Sequence, residues 1–373
     1  MNFDLSEDEA LLKALAERFV TDRYDIERRR SYLAQPAGFS PENWELLGKL
    51  GVLAALLERD PEQGGLTATS IASIFEALGR GMAVEPLIEN ILVAGRLFAA
   101  TASPDLREEW LPDLASGVRR IAFAHGEEKA RPGRVWVETR AETAGDGLCR
   151  LSGDKLHVPA GVGVNGYIVS ARHSGAPNDL SGIGLYLVPA DAAGLMRTGW
   201  RMADGSAAVS LQLREVTLPS GHRLDGDGDA IEAVQTAANL ARAAEAIGIM
   251  EKIFADTLEY LRARVQFGVA LATFQALQHR MAMQYGVIEQ SRGLLNLALV
   301  SANGSNFARA VQGARAFISS ASIDLGHDMM QFHGGMGVTD ELPIGHGHKR
   351  MLVLSRWPDD PETALDRFAR IAV

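Results

Sequence analysis

Cysteine is almost absent. Cys149 is the only one in 373 residues, which excludes an internal disulfide and any cysteine-rich zinc site. Long apolar runs are missing too. The longest charge-free stretch with helical character, Gly293 to Ala308, carries Asn296, Ser301, Asn303 and Asn306, whereas a membrane-spanning helix needs about 20 mainly apolar residues. Positive charge is in deficit, with 37 Lys and Arg against 47 Asp and Glu and a net charge of −10. Such an acidic surface repels phosphate backbones and disfavours general nucleic-acid binding. The opening Met1-Asn2-Phe3-Asp4-Leu5-Ser6-Glu7-Asp8-Glu9 is acidic where a secretory signal needs basic residues before an apolar run. A cytoplasmic protein without a membrane span is the expectation.

What is present is ordinary for a globular chain: 47% hydrophobic and 23% charged residues, which excludes a disordered or collagen-like protein. The length suits two or three domains. Ser6 with Glu9 three residues on has capping-box spacing ahead of Leu11, Leu12, Leu15 and Phe19. Helical periodicity returns in Trp44, Leu47 and Leu50 and again in Ile71, Ile74, Phe75 and Leu78, with breakers at Pro36, Pro41, Gly64-Gly65 and Pro86. Pro104 and Pro112 punctuate the last helix of this block.

Near Arg119 the pattern changes. Val135, Val137 and Thr139 alternate with Trp136, Glu138 and Arg140, and Val209, Leu211 and Leu213 alternate with Ser210, Gln212 and Arg214. Turn clusters between such runs predict a barrel or sandwich of short strands. From Asp229 a helical stripe through Val234, Leu240, Ile247, Phe254, Leu261 and Val265 runs to Gly268. A second helix begins at Phe274, Leu277, Met281 and Ile288, and a third spans about Phe307 to Phe332. Asp360-Pro361 starts a short last helix. The fold class is α+β, with a helical domain at 1–118, a β domain at 119–225 and a helical bundle at 226–373. Ile249, Met250, Ile253 and Phe254 put apolar residues on more than one face of the long helix, which predicts burial against neighbouring subunits as well.

Two segments can carry chemistry. Arg264 stands at the expected end of the long helix, where a forked guanidinium suits a diphosphate and equally neutralises a helix C-terminus. Gln331 followed by Gly334-Gly335 combines a side-chain amide with bare backbone, suited to a ribose or an adenine edge; a glycine pair also serves as a plain helix cap. The second segment lies between helices and is no Rossmann fingerprint.

These segments, Tyr260-Leu261-Arg262-Ala263-Arg264-Val265-Gln266-Phe267-Gly268 continuing to Phe274-Gln275-Ala276-Leu277-Gln278-His279-Arg280, and Gln331-Phe332-His333-Gly334-Gly335-Met336-Gly337-Val338-Thr339, resemble those of the acyl-CoA dehydrogenase family. Phe3-Asp4-Leu5-Ser6-Glu7, Glu76-Ala77-Leu78-Gly79-Arg80 and Gly182-Ile183-Gly184-Leu185-Tyr186-Leu187-Val188 add to the likeness. Within the family, Arg28-Arg29-Arg30-Ser31-Tyr32-Leu33-Ala34, Ser170-Ala171-Arg172 and Gly345-His346-Gly347-His348-Lys349-Arg350 look like the small subunit of pimeloyl-CoA dehydrogenase-type enzymes. The resemblance implies an N-terminal helical domain, a middle β-barrel or sandwich and a C-terminal four-helix bundle. It also implies FAD, an acyl-CoA substrate and an electron acceptor such as an electron-transfer flavoprotein. By the same resemblance Arg264, Gln266, Phe267, Phe274, Gln275, Gln331, Gly334 and Gly335 clamp the ADP half of an FAD bound mainly by a neighbouring subunit.

The departures from the family are as informative. Its catalytic glutamate, which takes the α proton while the β hydride goes to the flavin, corresponds either to about Ser355–Asp360 or to about Ala238, and neither place holds a glutamate. Asp359 is the nearest carboxylate and the candidate base. The flavin-lining Glu-Pro-x-Ala-Gly-Ser-Asp stretch becomes His125-Gly126-Glu127-Glu128-Lys129-Ala130-Arg131, and the family's Trp-Ile-Thr-Asn-Gly becomes His157-Val158-Pro159-Ala160-Gly161. Proline offers neither a side-chain donor nor an N–H. Three readings follow. The chain is a supporting small subunit that completes the FAD site of a homologous large catalytic subunit; or a self-sufficient homo-oligomeric dehydrogenase using Asp359; or a flavin-free scaffold or non-redox acyl-CoA-binding protein on the same fold.

Overall fold

The computed structural model describes residues 7–130, 136–145, 147–179 and 181–371. In chain order the helices before the sheet are α1 (Glu7–Arg23), α2 (Ile26–Ala34), α3 (Pro41–Lys49), α4 (Val52–Leu57), α5 (Ala68–Arg80), α6 (Arg96–Thr101) and α7 (Pro104–Ser116). The strands are β1 (Ile121–Ala124), β2 (Arg140–Ala144), β3 (Leu148–Pro159), β4 (Gly166–Arg172), β5 (Ile183–Pro189), β6 (Leu195–Arg201), β7 (Ala207–Pro219) and β8 (Arg223–Leu224). Then come α8 (Gly228–Ala263), the hairpin β9 (Val265–Gln266) and β10 (Val269–Ala270), and α9 (Gln275–Val300), α10 (Phe307–His333), α11 (Pro343–Arg356) and α12 (Pro361–Ile371). The chain divides into two compact units, one formed by residues 1–31, 67–83 and 239–373, the other by 32–66 and 84–238.

In the second unit the strands lie in the order β6-β7-β3-β2-β4-β5-β8, with β1 parallel to β4. Alternation along β7, reset by an irregularity at Arg214–Glu215 where Glu215 takes φ 54°, sends Val209, Leu211, Leu213, Val216 and Leu218 into one core with Tyr167, Val169, Val188, Leu151 and Val158. The helical part has its own buried set, Leu53, Leu56, Leu87, Ile91, Leu92, Leu97, Phe98 and Leu114. Ser40 caps α3 by accepting the Asn43 N–H, and Ser103 caps α7 by accepting the Leu106 N–H. α7 runs on through Pro112. The helical bond that proline lacks would have gone to Glu108, which is exposed, so water can satisfy that carbonyl.

One alternating run is not a strand. Residues 136–139 keep the expected burial, with Val137 and Thr139 inside, but β2 starts only at Arg140. The amides of Glu138 and Thr139 donate to the Glu127 carboxylate instead of to a ladder, and the Val137 amide donates to the Pro177 carbonyl. Val135 and the Ser6 cap lie outside the described residues.

The first unit is helical. α9, α11 and α12 pack on α10, and α1 packs on α5. Thr67 caps α5 and Asp360 caps α12, each accepting an N–H three residues on. α5 and α8 cross with backbone touching backbone. A Cβ on Gly79 would sit 2.2 Å from the Glu245 carbonyl oxygen, and one on Gly248 2.1 Å from that of Glu76. Beside the crossing, Arg80 and Arg292 bind Glu76 and Glu251 in one ion-pair network. Among the described residues no helix is long and apolar enough to cross a membrane.

Candidate functional site

The two motifs of the last third meet at one end of the helical unit. α8 stops at Ala263, five residues short of the Gly268 expected from its periodicity, because Phe267 and Gly268 both take positive φ (55° and 81°). Two successive left-handed residues make a tight hairpin turn, so Val265 leaves the helical stripe for β9. Arg264 is the first residue past the helix; its N–H donates to the Tyr260 carbonyl and its own carbonyl accepts from Leu271. Gln266 lies in β9, and Phe267 at the hairpin tip is 90% exposed, edge-on to Phe274 at 6.2 Å between ring centres. Gln275 is the exposed first residue of α9.

The second motif ends α10. Gln331, Gly334 and Gly335 are exposed, and Gly334 adopts φ 59° and ψ −139°, a conformation that a side chain excludes. A Cβ at Gly334 or Gly335 would meet no atom within 4 Å, so the constraint at Gly334 is conformational and the ground above both glycines is open. Tyr260 and His333 stack at 4.2 Å with 22° between their planes, joining the end of α8 to the end of α10. His333 is buried and donates from Nδ1 to the Met329 carbonyl, 2.9 Å away. From α9, Arg280 lies over the Phe332 ring at 4.6 Å and pairs with Asp328, which also accepts from Gln284 Nε2 at 2.8 Å. The eight proposed clamp residues are thus carried on one hairpin and two adjoining helix ends. Seven are exposed and Phe274 is half-buried.

That donor set fits a nucleoside diphosphate: an exposed guanidinium, side-chain amides, an aromatic face and bare glycine backbone. Tyr260, Arg280, Gln284 and Asp328, which shape it, have no assigned role in the sequence reading. Tyr260 and Arg280 bound the first quoted motif, but only tertiary contact shows what they do.

The two places for a base are filled differently. Ala238 is fully buried, and Ser355 is buried with its hydroxyl donating to the Leu352 carbonyl. Asp359 is buried between α11 and α12, with Oδ2 3.3 Å from Arg367 Nη1, while its main-chain carbonyl accepts from Arg315 Nη2 at 2.9 Å. Its carboxylate is thus paired with a residue of α12. A small cavity in this region is lined by Arg242, Arg315, Ser319, Ser322 and Ser355 together with apolar side chains, and none of its walls is a carboxylate.

In the sheet unit, Lys155 is completely buried and ion-paired with Glu127 at 2.7 Å. Glu127 also accepts from the Glu138 and Thr139 amides and the Thr139 hydroxyl. Burial pushes the Lys155 ammonium down to about 8 although Glu127 opposes it. Burial acts upward on Glu127, but Lys155 and the hydrogen bonds outweigh it and hold the carboxyl below its ordinary range. His157 is exposed at φ 54°, its ring edge-on to Trp200 at 5.3 Å. Among the described residues no group of three His, Cys, Asp or Glu is placed to hold a metal.

Comparison with known proteins agrees with this layout. Residues 6–118 match the profile of the acyl-CoA dehydrogenase N-terminal domain and 229–367 that of the C-terminal domain. Acyl-CoA dehydrogenase FadE27 of Mycobacterium tuberculosis is 25% identical over 354 residues, spanning 92% of this chain and 91% of that protein. A variant of the Tcur3481–Tcur3483 steroid ACAD superposes with a TM-score of 0.84 at 28% identity, covering 98% of each chain. The ChsE4–ChsE5 complex of Mycobacterium tuberculosis gives 0.86 at 24% identity over 99% of this chain and 98% of that one, a likeness of fold. The order of helical, sheet and helical segments, the two motifs brought together at the bundle end and both terminal profiles place this chain in the acyl-CoA dehydrogenase family of flavoproteins.

Proposed function

We propose that this chain is the supporting subunit of a hetero-oligomeric acyl-CoA dehydrogenase, lending an ADP clamp to an FAD shared with a homologous catalytic partner. One contrast carries the reading: both base positions lack a free carboxylate, while every clamp residue except Phe274 faces outward. Ala238 and Ser355 cannot take a proton from a thioester α carbon, and Asp359 is engaged by Arg367. Two similar structures carry paired names, ChsE4–ChsE5 and Tcur3481–Tcur3483, which supports an assembly of unlike chains.

FAD, when bound, would supply the hydride-accepting chemistry. Arg264 would engage the diphosphate, Gln266 and Gln331 would hydrogen-bond the adenosine part, and Phe267 and Phe274 would offer apolar faces to it. Gly334 and Gly335 let the backbone approach. The substrate class is an acyl-CoA thioester, and electrons would pass to a carrier such as an electron-transfer flavoprotein.

The test is the visible spectrum of the chain purified alone and after co-expression with a homologous partner. The expected result is a yellow complex whose flavin content falls at least tenfold in Arg264→Ala, a loss of about 1.4 kcal/mol. Unchanged flavin in that variant removes the clamp. An isolated chain that is yellow, bleaches with an acyl-CoA thioester and loses this in Asp359→Asn would instead make it self-sufficient.

A further inference from the structure

The dipeptide Asn-Gly occurs twice, at Asn165-Gly166 and Asn303-Gly304. It is the sequence in which a main-chain nitrogen meets least obstruction on its way to the preceding asparagine's side-chain carbonyl, because glycine brings no Cβ beside the attacking atom. As sequence the two are equivalent. The structure separates them.

Asn165 leads into β4 and is held by three hydrogen bonds. Its N–H donates to the Arg120 carbonyl, its Oδ1 accepts from the Arg120 N–H at 2.9 Å, and its own carbonyl accepts from the Ala190 N–H. Gly166 is buried, pairs with Ile121 of β1 and Pro189 of β5, and lies against the Trp110 ring, which a Cβ would meet at 3.0 Å. Closing a ring between these two residues would take Oδ1 from Arg120 and pull Gly166 out of two ladders.

Asn303 stands in the connection between α9 and α10, where residues 303–306 are all exposed. Among the described residues no hydrogen bond holds its side-chain amide. The Gly304 N–H donates to the Ser301 carbonyl at 2.9 Å and so closes a turn at the surface. A solvent-facing bond of that kind opens without disturbing the packed helices. A Cβ on Gly304 would meet only the Ser301 carbonyl oxygen, at 3.5 Å, so the approach to Asn303 is open.

We propose that Asn303 is a self-modification site, at which the chain deamidates itself while Asn165 is protected by the sheet. The Gly304 nitrogen attacks Asn303 Cγ, a C–N bond forms, and the side-chain amide leaves as ammonia with the proton that the nitrogen gives up. Water then opens the resulting succinimide. Breaking the new bond leaves aspartate in an unchanged main chain, and breaking the old peptide bond leaves isoaspartate, with the chain routed through the side-chain carbons. Water is the only co-reactant and nothing is oxidised. Either product adds a negative charge just ahead of the α10 N-terminus, where the helix dipole favours it. Only isoaspartate lengthens the main chain, and it does so inside the Ser301–Gly304 turn. The site is independent of the flavin reading, since α9 and α10 carry Gln275 and Gln331 at their other ends.

The test is to age the full chain in warm, mildly alkaline buffer, map it by peptide mass spectrometry and count isoaspartate with a protein isoaspartyl methyltransferase. The Asn303 peptide should gain the mass of an amide-to-carboxyl exchange, with isoaspartate present, while the Asn165 peptide stays unchanged. In urea both peptides should convert. Gly304→Ala should slow conversion at Asn303 about tenfold. That variant keeps the fold, because Gly304 has no positive φ and its Cβ finds room. An unmodified Asn303, equal conversion of Asn165 in the folded chain, an Asn165 that stays intact in urea, or an undiminished rate in Gly304→Ala overturns the proposal.

Discussion

Replacing Lys155 with methionine tests how much of the sheet unit depends on one buried charge pair. Methionine keeps most of the stem and removes only the ammonium. Glu127 would then remain a buried carboxylate with three donors, the Glu138 and Thr139 amides and the Thr139 hydroxyl. Removing one partner of a buried pair costs about 3–5 kcal/mol, because the other charge is left behind. The hydrogen bonds that Ser170 Oγ and the His125 carbonyl lose fall within that figure, since neighbouring effects do not add. Against a usual stability of about 5–15 kcal/mol the loss is large.

The control lies next in sequence. Asp154 pairs with Arg214 at 2.9 Å, but the two side chains are 52% and 49% exposed. Arg214→Met should cost no more than about 1 kcal/mol. Urea unfolding followed by tryptophan emission suits the comparison, because Trp44, Trp110, Trp136 and Trp200 all belong to the sheet-containing unit. If Lys155→Met lies within 0.5 kcal/mol or so of Arg214→Met, burial is not what gives the pair its weight, and the reasoning fails.

Further outcomes follow from the helical unit. Gly248→Ala places a methyl 2.1 Å from the Glu76 carbonyl oxygen and should destabilise by about 2–3 kcal/mol, despite alanine's better helix propensity; a thermal midpoint equal to wild type would contradict the close crossing. Gly334→Ala should cost about 1–3 kcal/mol of stability and weaken ADP, because φ 59° and ψ −139° are barred to alanine; undiminished ADP affinity would separate that turn from the clamp. Tyr260→Ala should likewise weaken ADP several-fold by releasing His333, measured by calorimetry, whereas Tyr260→Phe keeps the stack. For His348, burial first and His327 second push the imidazole down to about 4. The unfolded chain takes up that proton near pH 6.5 and the folded chain only near 4, so stability falls as pH drops between them, by up to about 3 kcal/mol. His348→Leu should flatten this limb in denaturant titrations at pH 6.5, 5.5 and 4.5, and an unchanged slope would refute it.

Elements built on local signals were legible before any coordinates. α10 ends one residue beyond the expected Phe332, and Asp360 caps α12 as its spacing predicts. Alternation along β7 is the observed core face. What the sequence did not disclose depends on distant partners. Trp136–Thr139 alternates like a strand, but a carboxylate outside the run takes two of its amides. Val265 continues the helical period, yet two positive-φ residues just beyond it turn the chain. Within the candidate site the motif residues could be named by resemblance to the family's motifs, whereas the Tyr260–His333 stack joins residues 73 positions apart and has no local signature. Lys155 between Leu151 and Val158 was a visible signal, a charge on a core strand that needs a partner, and Glu127 was already in the quoted stretch.

The α5–α8 crossing has a mechanical consequence. Most helix pairs are separated by side chains that can change rotamer and absorb small displacements. At Gly79 and Gly248 there is no such cushion, only carbonyl groups against Cα atoms. Fifteen residues on, the same rod ends at Ala263 and hands over to the hairpin that carries Arg264. Sliding of α8 along its axis therefore cannot be taken up locally at the crossing, and the hairpin is held at a constant height above it. If the hairpin is the clamp proposed above, a stiff pivot with a fixed lever is a means of keeping its grip in register.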